Sequence, residues 1–393
     1  MRYSNFTQRI DGEGAAAWDI HNRAVEKSRQ GEDIILLSMG DPDFDTPRPI
    51  IEAAIDSLRA GDTHYTDFTG EPELRQAIAQ LHQHTTGQKV GIDNIVVLAG
   101  AQCALYCAAH CILDPGDEVI VPEPTYVTYE AVIGATGAKT VNVPMDPDNG
   151  FRINVADIEA AITDKTRAIM LNTPHNPTGA ALSVADIEAI AALSIKHDLW
   201  VISDEVYASL VYDESHHSIA GIPGMADRAI TLNSLSKSHA MTGWRLGWIV
   251  GPESLSYHLG NMVTAMLYGV PTFIQKAAVV AITGSDNEVE AMRIAYRDRR
   301  DLAYKHLNAV PNLRCHLPAG GMFMMIDIRK SGLSAQQFSN ELLDRVGVSA
   351  LAGEAFGPSA AGHIRISLGV PNEVLEQACQ RIAACFTAIM DEQ

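Results

Sequence analysis

A lysine and an arginine stand eight residues apart, among hydroxyl-bearing residues, in the segment 234–247. The lysine ends the run Ser234-Leu-Ser236-Lys237, and the arginine is Arg245. A lysine that attacks a carbonyl carbon must first lose a proton, and a polar cage with a fixed cation nearby favours that loss. The planar guanidinium of Arg245 suits a phosphate group, which the hydroxyls of Ser234 and Ser236 could also reach. The spacing therefore predicts a nucleophilic amine beside a phosphate-binding cradle.

Other polar residues follow apolar runs that are typical of buried strands. Gly100-Ala101-Gln102 comes after one run and opens a helix, while Asp204 follows another and is joined three residues later by Tyr207. N–H groups at the start of a helix can hold a phosphate, although an ordinary glycine turn explains the first motif equally well. A carboxylate can pair with a pyridinium nitrogen, and a phenol can hydrogen-bond a ring oxygen. Together with the amine and the phosphate cradle, these residues predict pyridoxal 5′-phosphate as the cofactor.

The charge balance and hydropathy of the chain argue against several classes of protein. Of 393 residues, 48 are acidic and 29 are lysine or arginine, and a net charge of −19 disfavours nucleic acid or an anionic membrane as a partner. The sequence has no apolar run near the roughly 18 residues that a membrane span requires. The first residues lack the apolar core of a signal peptide, so we expect a cytoplasmic protein.

The cysteines and histidines of the sequence do not form a recognisable metal motif. Cys103, Cys107 and Cys111 recur every four residues and would share one face of a helix, which favours a buried stripe of small residues. His216 and His217 stand in a polar segment without a partner at metal-ligand spacing. We therefore predict no metal site.

Between residues 95 and 250 the chain alternates short apolar runs with helical segments. This alternation is typical of an α/β fold, in which helices cover both faces of a largely parallel sheet. The predicted strands are 95–98, 118–121, 140–143, 168–171, 199–202, 229–232 and 246–250. A long helix at 288–307 and an α+β pattern follow. We predict a large domain at 46–283 and a small domain formed by 1–45 and 284–393.

Several motifs occur together in a known order along the chain. They are Gly40-Asp-Pro-Asp-Phe, Tyr65, Gly70, Leu74-Arg75, Gly100-Ala-Gln, Pro124-Thr-Tyr126, Asn176-Pro-Thr-Gly, Asp204-Glu-Val-Tyr207, Ser234-Leu-Ser-Lys237, Arg245 and Arg365. With them, the chain resembles the class I and II aminotransferases, which are fold-type I pyridoxal-phosphate enzymes, over nearly its full length. The resemblance implies a mostly parallel seven-stranded sheet between helices, a smaller α+β domain, and a homodimer with shared active sites.

The resemblance also implies a role for each cofactor-binding residue. Lys237 would bind the cofactor covalently and move a proton during transfer, and Asp204 would pair with the pyridine nitrogen. Asn176 and Tyr207 would reach the ring hydroxyl, and Tyr126 would stack on the ring. The phosphate would be held by Ser234, Ser236, Arg245, the amides of Ala101 and Gln102, and the partner subunit's Tyr65.

On the substrate side, the resemblance implies that Arg365 clamps the α-carboxylate with help from Asn176 and the Gly40 amide, and that the Asn176–Pro177 bond is cis. Aspartate-specific relatives place a lysine where this chain has Gln102, or use an arginine that the segment 255–290 lacks, so dicarboxylates are disfavoured. The stretches 101–106, 126–131 and 352–362 most resemble the bacterial arginine–pyruvate transaminases. This implies L-arginine and pyruvate as substrates, and 2-ketoarginine and L-alanine as products.

Recognition of a guanidinium requires a carboxylate or an aromatic surface near the mouth of the pocket. Glu13, Trp18, Asp67 and Glu354 are the candidates. Two alternatives stay open, namely an aminotransferase for another neutral, aromatic or basic amino acid, and a pyridoxal-phosphate lyase that cleaves a C–S bond. The motifs specify how the cofactor is held and not which bond breaks. A DNA-binding regulator built on this fold is not expected, because the aminotransferase motifs begin by residue 40 and the chain is acidic.

Overall fold

The computed structural model describes residues 1–11 and 17–392. Its strands, in chain order, are β1 (Ile35–Leu36), β2 (Ile95–Leu98), β3 (Glu118–Glu123), β4 (Lys139–Pro144), β5 (Thr166–Asn172), β6 (Trp200–Asp204), β7 (Ala229–Ser234), β8 (Gly247–Val250), β9 (Arg314–Cys315), β10 (Phe323–Asp327), β11 (Val348–Ser349), β12 (Leu351–Ala352) and β13 (His363–Ser367). Its α-helices are α1 (Asn5–Arg9), α2 (Ala17–Arg29), α3 (Arg48–Ala60), α4 (Pro72–Thr86), α5 (Ala101–Ile112), α6 (Tyr129–Thr136), α7 (Val155–Ala160), α8 (Val184–Lys196), α9 (Glu253–Met266), α10 (Thr272–Thr283), α11 (Asn287–Asn308), α12 (Ala335–Val346) and α13 (Asn372–Asp391).

A seven-stranded sheet in the order β2-β8-β7-β6-β5-β3-β4 forms the centre of the molecule. The strands run parallel apart from β8, which is antiparallel to its neighbours β2 and β7. Both β2 and β8 are buried at every position, as expected for strands covered on both faces. The predicted α/β fold class and the seven-stranded, mostly parallel sheet are confirmed.

Two smaller sheets contain the C-terminal strands. One is antiparallel, in the order β12-β13-β10-β9, and in the other β1 pairs in parallel with β11. Ile20 and Ala24 of α2 pack with Leu343, Leu351 and Phe356, so the N-terminal segment contacts the C-terminal part of the chain. The domain boundaries at residues 45/46 and 283/284 stay predictions.

One glycine lets β8 lie against the turn that begins α5. A Cβ on Gly247 would stand 2.6 Å from the backbone N of Ala101 and 2.7 Å from the carbonyl carbon of Gly100. Real Cβ atoms do not approach backbone that closely, so a larger residue would push β8 away from this turn. The turn between β2 and α5 is thereby held close to the end of β7.

Seven of the described helices, α1, α2, α3, α4, α6, α9 and α10, were not assigned from the sequence, although α3 and α4 carry ordinary boundary signals. Both have a proline in the first turn and end at a glycine in the left-handed conformation, Gly61 and Gly87. Helix α10 packs against both of them. Within the described residues, none of the helices combines the length and the apolar character needed to cross a membrane.

Candidate active site

A cavity of about 470 Å³ lies at the carboxyl-terminal ends of β2, β5, β6 and β7, where open α/β sheets bind ligands. The second sheet contributes residues from β10 and β13 to the same cavity. The predicted site residues that line it are Gly40, Ala101, Gln102, Tyr126, Asn176, Asp204, Tyr207, Ser234, Ser236, Lys237, Arg245 and Arg365. The fold therefore gathers residues from both ends of the chain.

The turn before α5 and the side chain of Arg245 form a cradle for an anion. Gly100 has a φ of +87°, and a Cβ there would stand 2.5 Å from Arg245 Nη2. The N–H groups of Ala101 and Gln102 belong to the first turn of α5, where backbone donors have no intrahelical acceptor. Arg245 itself adopts a φ of +55°, a conformation that costs energy for a residue with a side chain. The N–H groups and the guanidinium suit a phosphate, beside the buried Ser234 and Ser236.

Lys237 points toward the segment that contains Gly40. Its Nζ donates to the carbonyl oxygen of Gly40 at 2.5 Å. Burial lowers the pKa of Lys237 to about 8, with the charge of Asp41 opposing this effect and the charges of Arg365 and Arg245 adding to it. The amine is therefore much easier to deprotonate near neutral pH than an exposed lysine.

Asp204, the last residue of β6, is held by Tyr129, which sequence analysis missed. Tyr129 Oη donates to Asp204 Oδ2 at 2.7 Å, and the Val206 N–H donates to Oδ1 at 3.3 Å. Burial raises the pKa of Asp204 to about 6, while these hydrogen bonds lower it and the charge of Glu205 raises it. The signal for Tyr129 in the sequence is its position three residues after Tyr126, and in the structure the two rings meet edge to face at 5.6 Å.

Asn176 connects the loop after β5 to two other site residues. Its Nδ2 lies 3.5 Å from Tyr207 Oη, and its Oδ1 accepts from Arg365 Nη1 at 3.0 Å. Burial raises the pKa of Tyr207, so this residue stays a neutral phenol. The Asn176–Pro177 bond is cis, as predicted.

Arg365 is a buried cation on β13 with hydrogen-bonding capacity left over. Its guanidinium carbon lies 4.2 Å from the ring centre of Phe323 and 4.9 Å from that of Phe356. Nη2 donates to the Ser38 carbonyl at 2.7 Å, whereas the buried Nε has no hydrogen-bond partner among the described residues. Burial lowers the pKa of Arg365 to about 10, which leaves it charged at neutral pH. The site thus has a fixed cation suited to a carboxylate.

Tyr65 lies outside this cavity and is 83% exposed. Its ring centre is 4.9 Å from that of Tyr268, which in turn lies 4.7 Å from that of Phe68. Exposed aromatic rings that cluster in this way are typical of protein–protein interfaces.

Of the four residues considered for a guanidinium, Trp18 lines the cavity. Asp67 Oδ1 accepts from the Thr69 N–H at 3.2 Å, and Glu354 Oε1 accepts from the Ala335 N–H at 3.0 Å, so both carboxylates bind local backbone. Glu13 lies outside the described residues. Asp41, which sequence analysis did not consider, also lines the cavity and accepts from Thr242 Oγ1 at 2.7 Å.

The residues around the cavity match the parts of pyridoxal phosphate one by one. The arginine and backbone cradle suits the phosphate, Asp204 suits the pyridine nitrogen, and Lys237 offers an amine for the aldehyde carbon. Within residues 1–11 and 17–392, no group of three or more potential metal ligands occurs.

Comparison with known proteins identifies the family. Residues 32–382 match the family model described as aminotransferase class I and II, and the chain belongs to this family of pyridoxal-phosphate enzymes. Its cofactor is therefore pyridoxal 5′-phosphate, and it is an aminotransferase. The chain is 60% identical over 392 residues, covering 100% of both sequences, to arginine–pyruvate transaminase of Pseudomonas aeruginosa.

More distant relatives share the fold but are named for other substrates. An aspartate aminotransferase of Pyrococcus abyssi is 40% identical over 360 residues, or 89% of this chain and 91% of the relative. The structure of a double mutant of Thermus thermophilus aspartate aminotransferase superimposes with a TM-score of 0.93 at 34% identity, over 98% of this chain and 100% of the other. The fold is therefore shared with enzymes that are named for different substrates.

Proposed function

We propose that this aminotransferase transfers the α-amino group of L-arginine to pyruvate, giving 2-ketoarginine and L-alanine. The observation that carries the proposal is the 60% identity to an arginine–pyruvate transaminase over the full length of both chains. At 39–40% identity, relatives are named for aspartate or aromatic amino acids, so the substrate varies within the family. Trp18 and Asp41 in the cavity lining also suit a cationic side chain.

The cofactor-binding roles that we propose follow the geometry of the cavity. When bound, pyridoxal phosphate supplies an aldehyde carbon that accepts an amino group and a ring that delocalises negative charge. Asp204 pairs with the pyridine nitrogen and keeps it protonated, Asn176 and Tyr207 hydrogen-bond the ring hydroxyl, and Tyr126 stacks on the ring. The phosphate is held by Ser234, Ser236, Arg245 and the amides of Ala101 and Gln102.

Lys237 is the proposed catalytic residue. Between turnovers its Nζ holds the cofactor covalently, and during transfer it takes the proton from the Cα of the substrate. Both tasks require a neutral amine, and the burial that lowers the pKa of Lys237 to about 8 supports them.

Arg365 is the proposed clamp for the substrate α-carboxylate. Its unpaired Nε and its position against Phe323 and Phe356 support this role. Asn176 and the Gly40 amide complete the carboxylate site. Because the Gly40 carbonyl lies 2.5 Å from Lys237 Nζ, a carboxylate bound here places the neighbouring Cα near the amine.

The assembly that we propose is a cytoplasmic homodimer with shared active sites. The exposed Tyr65, in contact with Tyr268, would reach the cofactor phosphate of the other subunit. Each subunit would comprise a large domain at 46–283 and a small domain of 1–45 with 284–393, which the pairing of β1 with β11 supports.

A half-reaction on the purified holoenzyme tests the reaction and the substrate together. We expect L-arginine to bleach the visible absorption band of the bound cofactor, and pyruvate to restore it with formation of L-alanine. L-Aspartate should have little effect. Bleaching by another amino acid but not by arginine would keep the aminotransferase and discard the arginine substrate. Release of ammonia and a thiol from a cysteine-type substrate, without alanine formation, would favour the lyase.

A further inference from the structure

Asp204 and Glu205 are consecutive buried acids that face different cavities. Asp204 lines the active-site cavity, whereas Glu205 lines a second cavity of about 670 Å³. The difference follows from strand geometry, since successive side chains at the end of β6 point to opposite faces of the sheet. Their exposed fractions are 9% and 4%. Ser234 lines both cavities, so the end of β7 forms part of a shared wall.

Glu205 is held at both carboxylate oxygens. Ser203 Oγ and Ser218 Oγ donate to Oε1 at 2.8 and 2.7 Å, and His216 Nε2 lies 3.1 Å from Oε2. An ionised carboxylate can only accept, so Nε2 of His216 carries the proton in this contact. His216, to which sequence analysis assigned no role, therefore helps to tie its segment to the end of β6.

These contacts keep Glu205 charged inside the protein. Burial acts to raise the pKa of Glu205, but the charge of His216 and the hydrogen bonds from His216, Ser218 and Ser203 outweigh it and the pKa is lowered. The ionised carboxylate, paired with His216, thus stands one residue from Asp204, where burial makes charge–charge interactions stronger than they are in water. The charge of Glu205 adds to burial in raising the pKa of Asp204.

We propose that Glu205 is a positioning residue for Asp204: its hydrogen bonds fix the end of β6 on the face opposite the active site, and its charge opposes that of Asp204. The inference rests on the proposed pairing of Asp204 with the pyridine nitrogen. Glu205 itself does not line the active-site cavity, so it acts through Asp204 and not on the substrate.

Other charged and titratable groups surround this pair. On the side of Asp204 they are Tyr129, which donates a hydrogen bond to it, and the groups that line the active-site cavity, namely Asp41, Tyr126, Tyr207, Lys237, Arg245 and Arg365. The second cavity is also lined by His82 and His84 of α4, by Asp213, Glu214 and His239, and by Asp286 and Arg293. Burial lowers the pKa of His82, against an opposing effect of its hydrogen bond to Gln88 and of the charge of Glu205. Arg293 pairs with Glu290 at 2.6 Å.

Two substitutions at one position separate the charge from the contacts. Glu205→Gln removes the charge and keeps the shape, because serine hydroxyls and a neutral imidazole can accept from the new amide. Glu205→Asp keeps the charge and shortens the side chain by one methylene, which breaks its contacts. Glu214→Gln is the matched control, since Glu214 is an exposed acid of the same cavity.

The measurements are the pH dependence of kcat/KM for the holoenzyme and the dissociation constant of pyridoxal phosphate from the cofactor-free protein. For Glu205→Gln we expect the acid limb of activity to move to lower pH by roughly half a unit or more, with tighter cofactor binding than wild type below about pH 6. For Glu205→Asp we expect an unmoved acid limb and a kcat that falls on the order of tenfold. Glu214→Gln should match the wild type in both measurements.

An unmoved acid limb in Glu205→Gln, with only a lower melting temperature, would overturn the proposal and leave Glu205 a purely structural residue. If Glu205→Gln does not fold, the kcat of Glu205→Asp tests the proposal instead. An unchanged kcat in that variant would rule out a positioning role for Glu205. Failure of the wild-type protein to bind the cofactor would instead overturn the proposed function. If the wild-type protein binds the cofactor and is active, and the acid limbs of the Glu205 variants do not move, only the inference about Glu205 is rejected.

Discussion

Arg365 Nη1 donates to Asn176 Oδ1 at 3.0 Å, and this hydrogen bond joins β13 of the four-stranded sheet to the loop after β5 of the seven-stranded sheet. The other end of the same amide lies 3.5 Å from Tyr207 Oη. One asparagine therefore contacts the proposed substrate clamp and the proposed ring-hydroxyl group. Binding of a substrate carboxylate at Arg365 should therefore affect the contacts of the cofactor ring through Asn176.

Arg365→Lys should lower kcat/KM on the order of a hundredfold, and equally for L-arginine and L-alanine, because both present the same α-carboxylate. A lysine lacks the planar fork that binds a carboxylate at two points. Steady-state kinetics with each donor checks this expectation. Arg329→Lys is the control. Arg329 pairs with Asp327 at 2.7 Å and does not line the cavity, so this variant should keep wild-type kinetics. A loss confined to arginine would mean that Arg365 contacts the side chain of the substrate.

Trp18→Leu and Asp41→Asn should each raise the KM for L-arginine by about tenfold and leave that for L-alanine nearly unchanged. The expectation follows from the cavity lining, in which these two residues offer an aromatic face and a carboxylate without a proposed role toward the cofactor. Initial rates with both donors measure the difference. Equal losses for the two amino acids would show that these residues support the cavity and do not select the substrate.

The affinity for pyridoxal phosphate should fall as the pH drops through about 6. Burial raises the pKa of Asp204 to about 6, so this acid is ionised above that pH and protonated below it. The protonated acid has no negative charge with which to pair the pyridine nitrogen. The Tyr129 hydrogen bond lowers this pKa, so in Tyr129→Phe the loss of affinity should begin at a higher pH. Fluorescence titration of the cofactor-free protein between about pH 5 and 8 measures it. Tyr304→Phe, the same change at an exposed tyrosine, should follow the wild-type curve.

Mixed dimers test the shared active site. Lys237→Ala and Tyr65→Ala should each be nearly inactive as homodimers. In a hybrid of the two, one site receives an intact Lys237 and an intact Tyr65, so random reassociation should restore about a quarter of the wild-type activity. Activity after mixing and refolding the two variants is the measurement. If mixing restores nothing while both variants bind to each other, Tyr65 does not act across the interface.

The strands of the seven-stranded sheet could be predicted because most of them are short, mainly apolar runs, as the observed β5 (Thr166–Asn172) shows for the run predicted at 168–171. The antiparallel direction of β8 could not be predicted, because a short apolar run has the same pattern in parallel and in antiparallel pairing. The motifs found twelve of the residues that line the active-site cavity. They did not find Tyr129, whose hydrogen bond to Asp204 spans 75 residues of the sequence, or Phe356, whose ring lies against Arg365. Glu354 was a reasonable candidate until the fold placed its carboxylate on backbone N–H groups.

Gly100 offers a way to recognise relatives that have kept this architecture and given up its chemistry. A side chain there would displace the guanidinium of Arg245 and demand a φ of +87° from a residue that rarely adopts it, yet the buried strands around it would be untouched. A homologue with intact strands and a substituted glycine at this position is thus a candidate for recruitment to a non-catalytic task. Restoring that one residue would be the first step in asking whether the lost reaction can be revived.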